Sequence, residues 1–588
     1  DPDALEPILD KADGNPFFLE ELGRAVLEDA PTGPEHPVPG SVHDVLRARV
    51  DRLAEEPRRV LQTASVLGRE FPLRLLDAVW SGPGGLEPHL AELRRLEFIH
   101  EQGGEGESVH VFKHALTQDV AYQSLLSSRR ARLHEAAGAA YEALYADRLS
   151  EVYDRLAHHY SHTARSEKAV EYLGLFADSA AKGYAHAEAA EALREALRHV
   201  DGLPPDLRDR QACELTLRLV YSLYFLGGFD ESLDALTAVE VRATRLESAE
   251  LAGRLYMWLG HTHAHAGDSD GAATSIARAI HESSRSGDVA TFGKAHYVRA
   301  REAFWRGRFA DGAEHGRTAA ASLERTDEWW WLGHAHAWIG QNLVNTGDFE
   351  EALANVARMK EIGRLRDDPR LQSYAGWEIA WYEATRGNWE RAIAEGTESL
   401  ERSPDPLNSA YSMFSLGFSY REKGDYAQAV SLLRSAIQLL TEFGYNRLVA
   451  WLTGWLSDAQ LWSGDPATAT ETARSALGLS EQVGYPWAVA VAQRASGRVS
   501  LATGDLAAAR GRLDEARSAF RRMGCRFDLA VTHMDLARLG HAAGEGGAAG
   551  VELDAARVLL SELDAPIYRA RVDELAAELE IGRDRSSA

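Results

Sequence analysis

Few residues of this chain combine type and spacing in a way that could do chemistry. The stretches HTHAHAG and GHAHAW cluster histidines, but residues two apart on a helix point to different sides, so only His261 and His265, four apart, share a face. Two imidazoles alone make a poor metal site, and no metal ligand is assigned. No Ser/His/Asp or Cys/His set stands in a nucleophile context. No G-x-x-x-x-G-K-[ST] loop is present to cradle phosphates, nor a following strand ending in acidic residues for Mg²⁺. Catalytic residues are therefore not expected, the chain is not expected to be an enzyme, and it carries no cofactor of its own. The two cysteines, Cys213 and Cys525, lie far apart and form neither a disulfide framework nor a zinc cluster, which fits a reducing, cytoplasmic setting.

The elements that would position any binding residue announce themselves by a turn that returns. Glycines recur at 267, 307, 347, 387, 424, 464, 504 and 544, at steps of 40 residues broken once by a step of 37. Seven residues before each stands Gly260, Ala300, Gly340, Ala380, Gly417, Ser457, Gly497 or Ala537, and five after stands Ala272, Gly312, Ala352, Ala392, Ala429, Ala469, Ala509 or Ala549. Two helices joined by a tight turn approach closely only where neither carries bulk at the crossing, so the pattern specifies a helix hairpin. Small-x6-Gly-Asp-aromatic-x3-Ala resembles the tetratricopeptide repeat, here in a longer unit.

In such an array the helices preceding each turn form the inner wall. With the small residue as repeat position eight, the wall positions two, five, nine and twelve carry Tyr297, Arg301, Phe304, Trp377, Trp381, Phe414, Phe418 and Trp451, among others, and Tyr256 stands beside them at position four. Aromatics in a groove are strong anchors for a partner, and Arg301 would supply a charge contact. The competing reading is that these rings fill space between helices. A protein segment or a small-molecule inducer is the expected occupant.

Composition agrees with a helical repeat protein. At 588 residues the chain exceeds one ordinary core, whereas a repeat array grows without a growing core. A net charge of −25 disfavours a surface built to neutralise phosphates, so no direct nucleic-acid contact is expected. No apolar run is long enough to span a bilayer, so no membrane association is expected.

The segments ahead of the repeats read differently. KADGNPFFLEEL breaks at Gly14-Asn15-Pro16. After a Pro-rich linker, helical segments from Ser41 are followed by LEFIHEQ, a GGEGE turn and SVHVFKH, which alternate as a two-stranded β-hairpin. Helices and such a wing make a winged-helix domain. DPDALEPIL carries no initiator Met, basic n-region or apolar h-region, so it is read as neither a natural start nor a signal peptide, and the chain as part of something longer.

GNPFFLEEL, the winged helix and VFKHALTQDVAYQSLL followed by repeats resemble the signal-transduction ATPases with numerous domains, in particular the bacterial ATPases attached to adenylate cyclase, kinase or transcription-factor modules. The resemblance implies that Pro16 matches the lid proline that packs on adenine, and that His114 matches the histidine that reaches the β-phosphate of ADP. It implies ADP or ATP as cofactor of the parent, an upstream nucleotide-binding domain as partner in cis, and oligomerisation on activation. The expected organisation is lid helices at 1–34, a winged helix at 41–115, connecting helices at 116–150, irregular helical repeats at 151–248, regular repeats of about 40 residues at 249–563, and a capping helix with a tail at 564–588. The expected fold class is all-α, a tetratricopeptide-like α-solenoid behind a small winged-helix domain with a β-hairpin. The expected function is the sensor and autoinhibitory region of a cytosolic signalling ATPase. A free-standing scaffold for protein partners and the regulatory part of a transcription factor are its rivals.

Overall fold

The computed structural model describes residues 41–102 and 108–579. By its contacts the chain forms two compact units, 1–235 and 236–588.

The first unit begins at α1 (Val42–Arg52), where the Ser41 hydroxyl accepts from the Asp44 amide at 3.2 Å and so satisfies one of the open donors of the first turn. There follow α2 (Glu55–Leu67), β1 (Glu70–Pro72), α3 (Leu73–Val79), α4 (Glu87–Arg95), β2 (Ile99–Gln102) and β3 (Val109–Phe112). The sheet has the order β1-β3-β2 and both pairings are antiparallel, with Phe71 opposite His110 and Ile99 opposite Phe112. The expected hairpin is present, with a third strand beside it. Three residues ending in proline carry no alternation to read; β1 exists because β3 offers an edge and because Phe71, fully buried, packs against Phe112 at 5.8 Å.

Helices α5 (Ala115–Gln123) and α6 (Ser127–Leu144) lead from the sheet to α7 (Tyr153–Ser161), α8 (Ser166–Lys182), α9 (His186–His199), α10 (Pro205–Leu226) and α11 (Phe229–Arg245). Their turns are irregular. One is closed by Tyr184 at φ 62° and another by Gly227 at φ 73°.

The second unit is a run of helix hairpins: α12 and α13 (Ala249–Ala266, Ser269–Ser286), α14 and α15 (Val289–Trp305, Phe309–Leu323), α16 and α17 (Trp329–Thr346, Phe349–Leu365), α18 and α19 (Pro369–Arg386, Trp389–Glu401), α20 and α21 (Pro406–Lys423, Tyr426–Glu442), α22 and α23 (Asn446–Trp462, Pro466–Gln482), α24 and α25 (Pro486–Ala502, Leu506–Met523), α26 and α27 (Arg526–Ala542, Gly546–Ser561), then α28 (Pro566–Glu578). All eight hairpin glycines adopt positive φ, from 68° at Gly307 to 97° at Gly424, the left-handed region closed to most side chains. The aspartates after Gly267, Gly424, Gly464 and Gly504 cap the next helix, each accepting from the amide three residues on. A Cβ on Gly260 would come within 2.7 Å of Ile276, and one on Gly417 within 2.7 Å of Leu433. The facing alanines, from Ala272 to Ala549, are fully buried. This is a tetratricopeptide-like solenoid. No helix among the described residues is long and apolar enough to cross a membrane.

The superhelix is tight enough for its turns to touch. A Cβ on Gly267 would lie 3.9 Å from Arg447, on Gly307 2.6 Å from Met523, and on Gly387 2.9 Å from Ile567, while Gly347 abuts Leu563. Arg447 donates to the Ala264 carbonyl at 3.5 Å, Arg526 to Asp348 at 2.9 Å, and Arg386 pairs with Asp564. Four successive hairpin turns thus form a seam with helix starts, and with the turns just before helix starts, about four and a half to five and a half hairpins further along.

Candidate functional site

The seam decides what happens to the inner wall. Helices that would face an open groove instead meet across the superhelix axis, and the predicted aromatics bury one another. Trp377 and Trp381 stack at 6.2 Å; Trp381 packs edge-on against Trp451 at 4.9 Å; Phe414 reaches Trp377 at 5.3 Å and Trp451 at 5.0 Å. Phe304 reaches Trp451 at 6.2 Å from the opposite wall. Tyr297 packs on Trp331 at 5.1 Å, and Tyr256 donates its hydroxyl to Glu240 at 2.8 Å beneath the Arg278 guanidinium. All are buried; none of the predicted set presents an open row. Arg301, expected to meet a ligand, is buried too, its Nη1 lying 2.7 Å from His265 Nε2 and 3.3 Å from His261 Nε2. Burial, with Arg301 beside them, holds both imidazoles well below their usual pKa. His261 and His265 thereby accept from an arginine.

The axis is not filled along its whole length. Toward the C-terminal end a cavity of about 360 Å³ opens, walled by Trp381, Phe418, Trp455 and Trp487 and by Arg421, Arg494 and Arg498. Of the predicted residues, Trp381 and Phe418 line it. Its cations sit in a buried ladder of carboxylates. Asp458 accepts from Arg498 at 2.5 Å and from Arg421 at 3.3 Å; Asp535 accepts from Arg498 Nε at 2.7 Å; Asp528 accepts from Arg494 at 2.8 Å and from the Trp487 indole at 3.0 Å. Burial alone would pull the Arg498 guanidinium down, but Asp458 and Asp535 outweigh it and hold it above its usual value. The guanidinium of Arg421 also lies over the Phe418 and Trp455 rings, at 4.7 and 5.2 Å, a cation–π arrangement that favours a charge away from water.

Helix α28 closes this end. The expected cap packs inward: the Tyr568 ring meets Phe527 at 4.7 Å, its hydroxyl donates to Glu422, and Arg571 donates to the Glu422 carbonyl at 2.8 Å. Burial raises the Glu422 carboxyl, yet Arg421 and the Tyr568 hydroxyl together bring it below its usual range.

The charged lining was within reach of the sequence. Asp458 and Arg498 occupy repeat position nine, as do His261, Arg301, Trp381 and Phe418. A search of that position for aromatics passes over them, although opposite charges at equivalent positions of neighbouring repeats are the signal.

In the first unit, His114 stands where β3 passes into α5. It is half-buried and extended (φ −135°, ψ 140°), and its carbonyl accepts from the Thr117 amide at 3.1 Å. Pro16 lies outside the described residues.

The sequence profile of the tetratricopeptide repeat family matches residues 410–439, which fall in the α20–α21 hairpin. Similar solved structures include a Rap protein complexed with competence and sporulation factor (TM-score 0.47, 13% identity, 62% of this chain and 99% of that one). Another is the signal transduction ATPase with numerous domains that carries a tetratricopeptide repeat sensor, from Pyrococcus horikoshii (TM-score 0.34, 14% identity, 98% of this chain and 74% of that one). A third is the Cut9–Hcn1 hetero-tetramer of APC/C (TM-score 0.41, 15% identity, 78% and 92%). No curated protein matches the sequence.

Proposed function

We propose that the repeat array is a sensor whose inducer, a small molecule or short peptide with a free carboxylate and an apolar or aromatic portion, enters the axial cavity. The observation that carries this reading is the cavity's composition. Buried ion pairs are poor stabilisers, since apolar residues of the same volume commonly do as well or better. A void of about 360 Å³ walled by eight aromatics, five carboxylates and five arginines, three of these arginines buried, is of ligand-pocket size and chemistry. Arg494 keeps a buried Nε without an acceptor, a demand that a ligand oxygen would meet. A protein segment laid along the inner wall, the other occupant considered, would find no exposed aromatic row. Occupancy would be felt at α28, since Tyr568 and Arg571 belong to the lining.

The second half of the proposal concerns the front of the chain. The ordered match of VFKHALTQDVAY, with His114 two residues after the central strand of the sheet, supports a cytoplasmic switch of the signalling-ATPase type in which this chain supplies the latch and the inducer sensor. Its partner is a nucleotide-binding domain in cis. The chain itself acts by binding.

The cavity is tested by titrating the full chain with carboxylate-terminated aromatic tripeptides while following tryptophan emission. A saturable response is expected, lost in Arg494→Met and in Val531→Trp, which fills the half-buried lining position and leaves the ion ladder intact. No saturable response, or the same response in Val531→Trp, overturns the reading. The latch is tested in a chain that includes the nucleotide-binding domain. There, His114→Ala is expected to weaken ADP binding by about 1–3 kcal/mol, the cost of removing one partner of a charged hydrogen bond. Unchanged ADP affinity in a folded variant refutes the role.

A further inference from the structure

Outside the repeat axis, histidines gather where α6 meets α7. The meeting is close because Gly138 carries no side chain: a Cβ there would come within 2.7 Å of the Tyr160 ring, which lies against it. Tyr160 is anchored in turn by donating to Glu142 at 3.0 Å. That approach brings His159 of α7 onto His134 of α6, one turn before Gly138, with Nδ1 to Nδ1 at 3.0 Å. His158, next to His159 on the exposed side, completes a trio in which one ring nitrogen from each residue lies within 4.8 Å of the others. His162 stacks flat on His134 at 4.6 Å and covers it.

We propose that His134, His158 and His159 form a binding site for a first-row transition-metal ion of the zinc class, which pins α6 to α7. Three imidazoles with a fourth position open to water are an established donor set for Zn²⁺, and metal–nitrogen bonds of about 2.0–2.1 Å in a tetrahedron set ligand nitrogens roughly 3.3 Å apart. The His134–His159 pair stands near that separation already. His158 is exposed and closes the set by a side-chain rotation. The tautomer of His134 is provided for as well: its Nε2 lies 2.9 Å from the Tyr122 hydroxyl, so Nε2–H can donate outward and leave the Nδ1 lone pair for the metal, the outer-shell arrangement that orients ligating histidines. Imidazoles without carboxylates select Zn, Cu, Ni or Co over Mg or Ca.

The sequence shows two members of this cluster in LAHHYSH, the adjacent His158 and His159. Spacing along one helix does not reveal the set, because the third member, His134, comes from another helix 24 residues upstream of His158.

The test uses tag-free full chain stripped with a chelator and titrated with Co²⁺, whose ligand-field bands report tetrahedral coordination, followed by displacement with Zn²⁺. One equivalent of cobalt with visible bands, reversed by zinc, is expected. His158→Ala, a surface change that leaves the fold intact, should abolish the bands. Tyr122→Phe should keep them while lowering affinity by about 10–100-fold, the usual effect of losing an outer-shell partner. Absence of a one-equivalent band in the wild type, or bands and affinity unchanged in His158→Ala, overturns the proposal and leaves the cluster a hydrogen-bonded packing contact.

Discussion

Glu378 is the residue whose environment makes the sharpest demand. It is fully buried on the inner wall, where Gln341 donates to its Oε1 at 2.5 Å and the Tyr382 hydroxyl is its other hydrogen-bonding neighbour. Burial raises its pKa well above the usual carboxylate value. An acid whose folded-state pKa is raised contributes most below its unfolded pKa, and that contribution is lost as pH rises through the folded value. Glu378→Gln keeps the shape and removes the titration. Its melting temperature is expected to match the wild type near pH 4 and to exceed it at pH 8, because the amide does not incur the cost of ionising, or of holding a proton against, a buried carboxyl. Parallel pH profiles for the two proteins would contradict this. The same wall shows where the sequence stops being legible. Repeat position brings Trp377, Trp381 and Phe414 to the inner face by count alone. Whether rings on that face meet solvent or one another depends on the pitch of the superhelix, the accumulated result of small rotations between hairpins that no single residue encodes.

At the scale of the element, the hairpin is where sequence and structure agree most closely, because one local event fixes it. Gly424 takes φ 97° and the Asp425 side chain caps the next helix at the Gln428 amide, 3.3 Å away. Gly424→Ala, with nothing but the Tyr426 hydroxyl near the added Cβ at 3.9 Å, isolates the backbone cost and is expected to destabilise by about 1–2 kcal/mol. Gly424→Asn should recover part of that loss, since asparagine tolerates the left-handed region. Gly417→Val is expected to cost about 1–3 kcal/mol by overpacking against Leu433. Equal melting temperatures for the alanine and asparagine variants would show that the backbone is not the cause. The strand β1 is the opposite case. Glu70–Pro72 has no local signature, and its partner Val109–Val111 lies nearly 40 residues away.

The array as a whole departs from the usual description of repeat proteins, in which each unit feels only its neighbours. Arg526 and Asp348, 178 residues apart, tie one superhelical turn to the next. Each such pair is partly exposed and by itself worth only about 0.2–1 kcal/mol, but the apolar contacts of Leu563 and Ile567 with Gly347 and Gly387 run alongside. Combining Arg526→Ala with Leu563→Ala is expected to broaden urea unfolding into separable steps and to raise the radius of gyration in solution scattering. A single sharp transition at unchanged dimensions would show the seam to be passive.

That seam also constrains how the gene can change. Unequal crossing-over adds or deletes whole hairpins, and an ordinary array absorbs the event because every new junction resembles the old ones. Here, one unit gained between Gly347 and Arg526 would carry each glycine turn past its partner by a full repeat, bringing side chains chosen for other neighbours against backbone that has no room for them. The number of units between seam partners is therefore inherited as a fixed count, and lineages of this chain should vary in the sequence of their hairpins long before they vary in how many they have.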